Sequence, residues 1–317
     1  MNTTPSDSRH SRSVFLQTNL LLPDVPPWVH AWLSDAPVSQ SFSRDQAQYT
    51  VRQNQDVQLI SAIVADADRL PVDDFQACVR NIYLQIYQLL NQSDCPHPWR
   101  FWNFVPDILR QEADGLLRYM VFNAGRHQAM LTRHSPREFS SAMVAASAVG
   151  APRQDLVIHL LSGQTPGSPV ENPRQVSAFH YSPRYGPLPP CFARATKVTH
   201  QQQNHLLISG TASIVGEDST HQQHFESQCH EVIANFTALL AHAMGLPAAD
   251  DATLISQRSG ILSALRDVRI YLHDVSRRQL AGDILSQCCT KLEHLEFMPA
   301  TICRPELQVE IEARASL

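Results

Sequence analysis

The sequence predicts an α+β protein made of two fused copies of a mixed-sheet domain, with helices packed on one face of each sheet. Three observations predict it: an internal repeat, the same succession of strand-like and helix-like segments after each copy of that repeat, and one proline-rich segment between the copies. Placing Leu59–Leu90 over Leu207–Leu240 aligns the two Leu-Ile-Ser openings, Phe75 with Phe225, and the closing Leu-Leu pairs, with one two-residue gap. In each copy an apolar strand-like run passes through a polar turn into a helix. Phe75, Val79, Ile82 and Ile86 keep the three-to-four spacing of a buried helical stripe, and so do Phe225, Cys229, Val232 and Phe236.

The remaining elements follow the same order. After the first helix come a strand in "WRFWNFV", a helix in "FNAGRHQAML" and a strand in "DLVIHLLS"; after the second come "VRIYLH", the helical "SRRQLAGDILSQ" and "LQVEIEA". The boundaries read from this are an N-terminal extension over 1–45, a first repeat over 46–165, and a second repeat over 166–317. The second repeat includes the proline-rich loop and the expected active site. The joining stretch Glu171–Thr196 holds five prolines, two tyrosines and three arginines. Proline removes backbone donors and fixes φ, so this stretch forms neither a regular helix nor a central strand. Its aromatic content also sets it apart from a flexible linker. It is expected to join the repeats and to wall a pocket.

Composition limits the class of function. The chain has 317 residues, 43% hydrophobic and 17% charged, which is globular, and its formal net charge of −5 provides no general footprint for nucleic acid or an anionic membrane surface. An anionic ligand must therefore be met by a few placed arginines. The seven cysteines are odd in number and form no C-x-x-C pair, which predicts a reducing cytoplasm and neither a disulfide framework nor a zinc site. Fifteen histidines include no H-E-x-x-H pattern, and no metal or cofactor is expected. Arg9 and Arg12 precede an apolar run, but Gln17, Thr18 and Asn19 interrupt it, so no signal peptide is expected. No stretch reaches the roughly 20 apolar residues that span a bilayer.

Three constellations are candidates for chemistry. In "TICRPELQVEIEA", Leu307, Val309 and Ile311 alternate with Gln308, Glu310 and Glu312, so a strand places the carboxylates opposite the core. By pattern that opposite face is solvent. The functional alternative turns Glu310 into an apolar pocket that raises its pKa and makes it a proton donor, with Cys303 just upstream. In the proline-rich loop, Arg194 is suited to a bidentate grip on a carboxylate and Tyr185 to a hydroxyl hydrogen bond, unless both serve only to pack the loop. In "SGTASIVGEDS", Gly210 and Gly216 bracket small residues that let a ligand approach, or else mark a turn.

The motifs "NPRQVSAFHY", "RYGP", "ISGTASIVG", "WRFWNFVP", "FNAGR" and "ICRPELQVEIE" resemble those of the chorismatase family. The resemblance implies two fused copies of the fold of the trimeric imine deaminases and a buried active site mainly in the C-terminal half. It implies an enzyme that releases pyruvate from chorismate, giving 3-hydroxybenzoate or a dihydroxycyclohexadiene carboxylic acid for secondary metabolism. Alternatives on the same fold are an imine- or enamine-hydrolysing relative and a non-catalytic binding protein. By the same resemblance Glu310 matches the glutamate that protonates the enolpyruvyl methylene, and Cys303 the cysteine of the 3-hydroxybenzoate branch. Arg194 and Tyr185 match substrate-binding loop positions, and Gly210 to Gly216 the pocket floor. Departures are Leu188 in place of an arginine, His273 in place of an arginine, and Glu217 in place of a histidine. Either Arg269, Arg304 or protonated His273 restores the missing positive charge, or the substrate differs.

Overall fold

The computed structural model describes residues 24–34, 36–113, 115–247 and 250–317. The N-terminal apolar run through Pro23 discussed above lies outside the described residues. A short helix α1 (Pro27–Leu33) leads into β1 (Val38–Arg44), β2 (Ala47–Gln53) and β3 (Val57–Val64), then α2 (Val72–Asn91), β4 (His97–Phe104), α3 (Arg118–Arg133), β5 (Ala145–Val149) and β6 (Leu156–Gly163). The second half runs β7 (Ser168–Val170), β8 (Ala195–His200), β9 (Gln203–Thr211), the small hairpin β10 (Ile214–Val215) and β11 (Asp218–Ser219), α4 (Phe225–Ala243), α5 (Asp251–Leu262), β12 (Leu265–Leu272), α6 (Arg278–Ser286), β13 (His294–Pro299) and β14 (Val309–Ser316).

The duplication is visible in the strand order. The first sheet reads β1-β2-β3-β6-β4-β5 and the second, from its corresponding edge, β7-β8-β9-β14-β12-β13. In both, the last strand of the repeat inserts antiparallel beside the third, and a parallel pair closes the other edge, β4 with β5 and β12 with β13. The two helical stripes expected from the repeat are the ones buried: Phe75, Val79, Ile82 and Ile86 on α2, and Phe225, Cys229, Val232 and Phe236 on α4. Asp73 and Asp74 occupy the first turn of α2, where the positive end of the helix dipole favours them. The edge strands β5 and β13 and the helix α5 are additions to the expected order. The first sheet begins at Val38, inside the segment assigned above to an N-terminal extension.

Helices cover one face of each sheet, giving one core under α2 and α3 and another under α4 and α6. The other faces of the two sheets meet. Val57, Leu59 and Trp102 of the first pack into a third core with Leu207 and Tyr271 of the second and with Leu307 just before β14, and Trp28, Val29 and Leu33 of α1 close one end. This arrangement corrects the solvent reading of Glu310 and Glu312. Val309, Ile311 and Ala313 do face the helices, but the opposite face of β14 looks at another sheet rather than at water. The proline-rich stretch forms two single 3₁₀ turns, Ala178–His180 and Pro183–Tyr185, and is otherwise irregular, as its prolines require.

Candidate active site

Between the sheets, Glu312 accepts hydrogen bonds from Arg100 Nη2 at 2.8 Å, Trp102 Nε1 at 2.8 Å, Ser147 Oγ at 2.5 Å and Tyr271 OH at 2.9 Å. Arg100 also donates to the Ile208 carbonyl and to Ser147 Oγ. Burial alone pushes the Glu312 pKa up, but Arg100, then Arg269 and these donors, outweigh it and hold the carboxyl below its ordinary value. Glu312 is therefore a fixed, dry anion.

Glu310 lies two residues earlier on the same face of β14, 4% exposed, and its environment is the opposite. Among the described residues no side chain hydrogen-bonds its carboxyl, which faces a cavity of ≈ 210 Å³. Burial, and then the Glu312 charge, push its pKa up to about 8 against the weaker pull of Arg100. At neutral pH Glu310 is thus a carboxylic acid, the state a general acid needs. A Cβ at Gly210 would fall on the Glu310 carboxyl, so glycine on β9 makes room for the acid itself. The Cys303 thiol also lines the cavity; burial first, and then Glu310, raise its pKa to about 12, so it remains a thiol.

The cavity is rich in guanidinium groups. Arg126, Arg194 and Arg304 line it at 2%, 4% and 8% exposure, and among the described residues none of the three has a carboxylate within ion-pair distance. Arg194 Nη2 donates to the Val176 carbonyl and to Tyr181 OH, both at 2.7 Å, while its Nε and that of Arg126 are buried without a partner. Arg304 Nη1 donates to the Glu217 carbonyl at 2.8 Å and its guanidinium stacks on the Tyr185 ring at 3.8 Å. A buried cation without a counter-ion costs several kcal/mol, so three around one cavity mark a place that an anion completes. Arg184 adds a fourth, more exposed charge at the rim.

Of the sequence-predicted residues, Glu310, Cys303, Arg194, Tyr185, Gly210 and Arg304 come together around this cavity. Tyr185 contributes its ring, since its hydroxyl is turned to Asp218 at 3.3 Å; Tyr181 is the tyrosine whose hydroxyl meets Arg194. Gly216 and His273 do not belong. Gly216 sits at φ 61° in the β10–β11 turn with nothing near where a Cβ would be, and His273 is exposed just past the end of β12. Arg269 points away from the cavity, donating to Glu296 at 2.8 Å and to the Asp24 carbonyl at 2.8 Å. Of the residues expected to restore the charge missing at Leu188 and His273, Arg304 lines the cavity, and Arg126, which the helical pattern leaves inside an ordinary helix, lines it as well. Its signal was present in "FNAGR", where an arginine stands within the helix face that α3 buries. Tyr119, Arg126 and Ser147 come from the first repeat, so the cavity draws on both halves, with most of its lining from the second repeat and its proline-rich loop. Asp267, Glu293 and His294 bring potential ligand atoms within 4.8 Å of one another outside this cavity, but Arg314 already binds both carboxylates, at 2.5 and 3.1 Å.

A duplicated α+β fold whose sheets enclose an arginine-lined cavity around a buried acid defines the class, a small-molecule enzyme built from two repeats. The description "Chorismatase FkbO/Hyg5-like, N-terminal" matches residues 30–162. A 3-hydroxybenzoate synthase of Streptomyces hygroscopicus is 29% identical over 303 residues, covering 94% of this chain and 84% of the relative. A chorismatase of Streptomyces hygroscopicus is 31% identical over 245 residues, 73% of this chain and 65% of that protein. The crystal structure of a chorismatase superposes with a TM-score of 0.72 at 23% identity, covering 88% of this chain and 80% of the other, and shares the fold. The chain belongs to the chorismatase family.

The raised Glu310 pKa has a consequence for stability. Between its ordinary value of 4.5 and about 8 the folded chain holds a proton that the unfolded chain releases. The stability contribution is complete below pH 4.5 and is lost as pH rises through 8, with a slope of up to about 1.4 kcal/mol per pH unit. Glu310→Gln cannot ionise, so its melting temperature relative to the parent should climb steadily from pH 5 to pH 8. A difference that stays flat with pH would show that Glu310 titrates in an ordinary environment.

Proposed function

We propose that this chain converts chorismate to 3-hydroxybenzoate and pyruvate in a reducing cytoplasm, without a cofactor, for secondary metabolism. The observation that carries the reading is the pairing of a neutral buried acid, Glu310, with three buried arginines that, among the described residues, have no carboxylate within ion-pair distance, all in one cavity. Chorismate is a dianion with an acid-sensitive enol ether, and both halves of that description have a partner here. The relatives named for chorismatase and 3-hydroxybenzoate synthase activities support the same substrate, and seven free cysteines agree with a reducing compartment.

Arg126, Arg194 and Arg304 hold the two carboxylates, and the aromatic walls of Tyr119 and Phe192 flank the ring. Glu310 gives its proton to the enolpyruvyl methylene, and the ether carbon becomes oxocarbenium-like. The carboxylate left behind then stabilises that cation at short range in a dry site. The net conversion of chorismate to pyruvate and 3-hydroxybenzoate consumes no water and needs no oxidant or reductant. The hydrolytic alternative consumes one water and leaves the diene acid. Cys303, a neutral thiol within the cavity, steers the ring toward the aromatic product. A binding protein with a decayed anion site is the weaker reading, because Arg126, Arg194 and Arg304 all line the cavity despite the changes at Leu188 and His273.

The deciding experiment incubates purified protein with chorismate in the presence of a chelator and measures pyruvate and 3-hydroxybenzoate. Both should form, and Glu310→Gln should lower kcat by at least about 10²-fold while the protein stays folded. Pyruvate at the spontaneous rate removes the chorismatase reading, and full activity in Glu310→Gln moves the acid elsewhere. Activity that disappears with the chelator and returns with a divalent metal would overturn the cofactor-free part.

Arg126→Gln should raise KM by about 10- to 100-fold, the worth of one hydrogen-bonded contact to a charged group. Its melting temperature should hold or rise, because no ion pair is broken and a buried charge is removed. A fall in melting temperature with KM intact would make Arg126 a packing residue.

Cys303→Ala should keep pyruvate release and shift the aromatic product toward the diene acid or another isomer. An unchanged product ratio would leave the thiol with packing alone.

A further inference from the structure

The mouth of the cavity depends on a side chain that does not line it. Glu217 sits at the tip of the β10–β11 hairpin. Its Oε2 accepts the Ser182 backbone N–H at 2.8 Å and its Oε1 accepts Ser182 Oγ at 2.7 Å. Arg184 Nη2 lies 3.7 Å from Oε1, and the Glu217 carbonyl accepts Arg304 Nη1 at 2.8 Å. Ser182 opens the 3₁₀ turn Pro183–Tyr185, and its hydroxyl, which would otherwise be available to cap that turn, makes no cap bond because it is turned to Glu217. Asp218, next along the hairpin, takes Arg184 and the Tyr185 hydroxyl.

We propose that Glu217 is a positioning residue that clasps the 181–185 wall to the β10–β11 hairpin and so sets Tyr181, Arg184, Tyr185 and Arg304 around the cavity mouth. The substrate named in its test rests on the chorismatase reading above. Two features make the clasp separable from the fold. The hairpin is tied independently to the start of the linker, through Val176 N–H to the Gly216 carbonyl at 3.0 Å and Gly216 N–H to the Arg174 carbonyl at 2.8 Å. Removing the carboxylate therefore leaves the hairpin anchored and loosens the wall at Ser182, while Asp218 keeps its contacts to Arg184 and Tyr185. The prolines at 183 and 187 limit how that wall can move, but Ser182 has no other hydrogen bond tying its N–H and hydroxyl to the second repeat among the described residues. With the wall held, the mouth arginines meet an anion without first being ordered, and that advantage appears in binding rather than in the chemical step.

The test is a set of variants, Glu217→Ala, Glu217→Gln, Ser182→Ala and the double Glu217→Ala/Ser182→Ala, read by chorismate kinetics and by hydrogen exchange of the substrate-free protein. In Glu217→Ala the KM for chorismate should rise by at least about 5-fold with kcat within about twofold. The Ser182 amide should exchange at least about tenfold faster while the Val176 and Gly216 amides keep their protection. Glu217→Gln, which can still bond to Ser182 through its amide, should recover most of the KM. The double variant should be no worse than Glu217→Ala, because the two residues act through one contact. An unchanged KM in Glu217→Ala overturns the proposal even if exchange quickens, and so does a loss confined to kcat or additive effects in the double variant. A parent protein that releases no pyruvate removes the chorismatase reading, and the clasp is then judged on exchange alone, where unchanged protection of Ser182 overturns it.

Discussion

The ion pair of Arg100 and Glu312 is the contact on which the rest of the molecule turns. It bridges the two sheets, one partner from β4 and the other from β14, at exposures where neither charge meets water. An isolated carboxylate there would take up a proton, since burial alone drives its pKa up. It stays ionised because three donors and the facing Arg100 guanidinium satisfy it, and those donors come from both repeats: Trp102 and Ser147 from the first, Tyr271 from the second. A network with this many geometric conditions forms in one register only. Buried pairs of this kind contribute little net stability against an apolar isostere, and breaking one costs about 3–5 kcal/mol, so the pair fixes how the repeats face each other more than how tightly they hold.

The same pair separates the two glutamates chemically. Glu310 and Glu312 are spaced to share a face of β14, and a strand cannot give them different burial. Their difference comes from what approaches across the sheet interface: Arg100 reaches Glu312, and an open cavity faces Glu310. Once Glu312 is fixed as an anion, ionising Glu310 as well would place two negative charges in one dry region, which adds to the effect of burial. One residue thus becomes a structural anion and its neighbour a neutral acid.

Much of this was legible in the sequence, for identifiable reasons. The repeat was visible because Phe75 and Phe225, with their helical stripes, bury the same faces in both copies. The alternation around Glu310 correctly set the carboxylates apart from Val309 and Ile311. It could not say what lay opposite, because an apolar-polar alternation looks the same whether the polar face meets water or a second sheet carrying an arginine. β5 and β13 were missed because each is a short parallel edge strand whose pairing is defined by a distant partner rather than by local pattern. Arg126 was missed for a similar reason: an arginine within a helix is ordinarily exposed, and only the fold shows that α3 turns it inward. Gly216 and His273 were expected in the pocket from the family resemblance, as part of its floor and at the position of an arginine. Gly216 is explained by its left-handed backbone, and β12 ends at Leu272, before His273 can turn inward.

The duplicated architecture has consequences for how an active site is built. Two copies with the same strand order place equivalent faces against each other, and in identical copies the interface would carry equivalent side chains from both sides. Here the copies have diverged in complementary ways. The second supplies the acid, the glycine that makes room for it and the thiol; the first supplies Arg126, Tyr119 and the Ser147 hydroxyl that braces Glu312 and accepts the Gly210 N–H at 3.0 Å. Neither copy holds a complete site. The linker, which belongs to neither sheet's centre, adds Arg194 and the tyrosines, and its prolines limit the states that this roof samples before a ligand arrives. The stiffness of that stretch is therefore best understood through the charges it carries. Of its three arginines, Arg174 is held by Glu231 at 2.7 Å and Arg184 by Asp218, and a wall that cannot collapse keeps Arg194, which among the described residues has no carboxylate within ion-pair distance, aimed at the cavity.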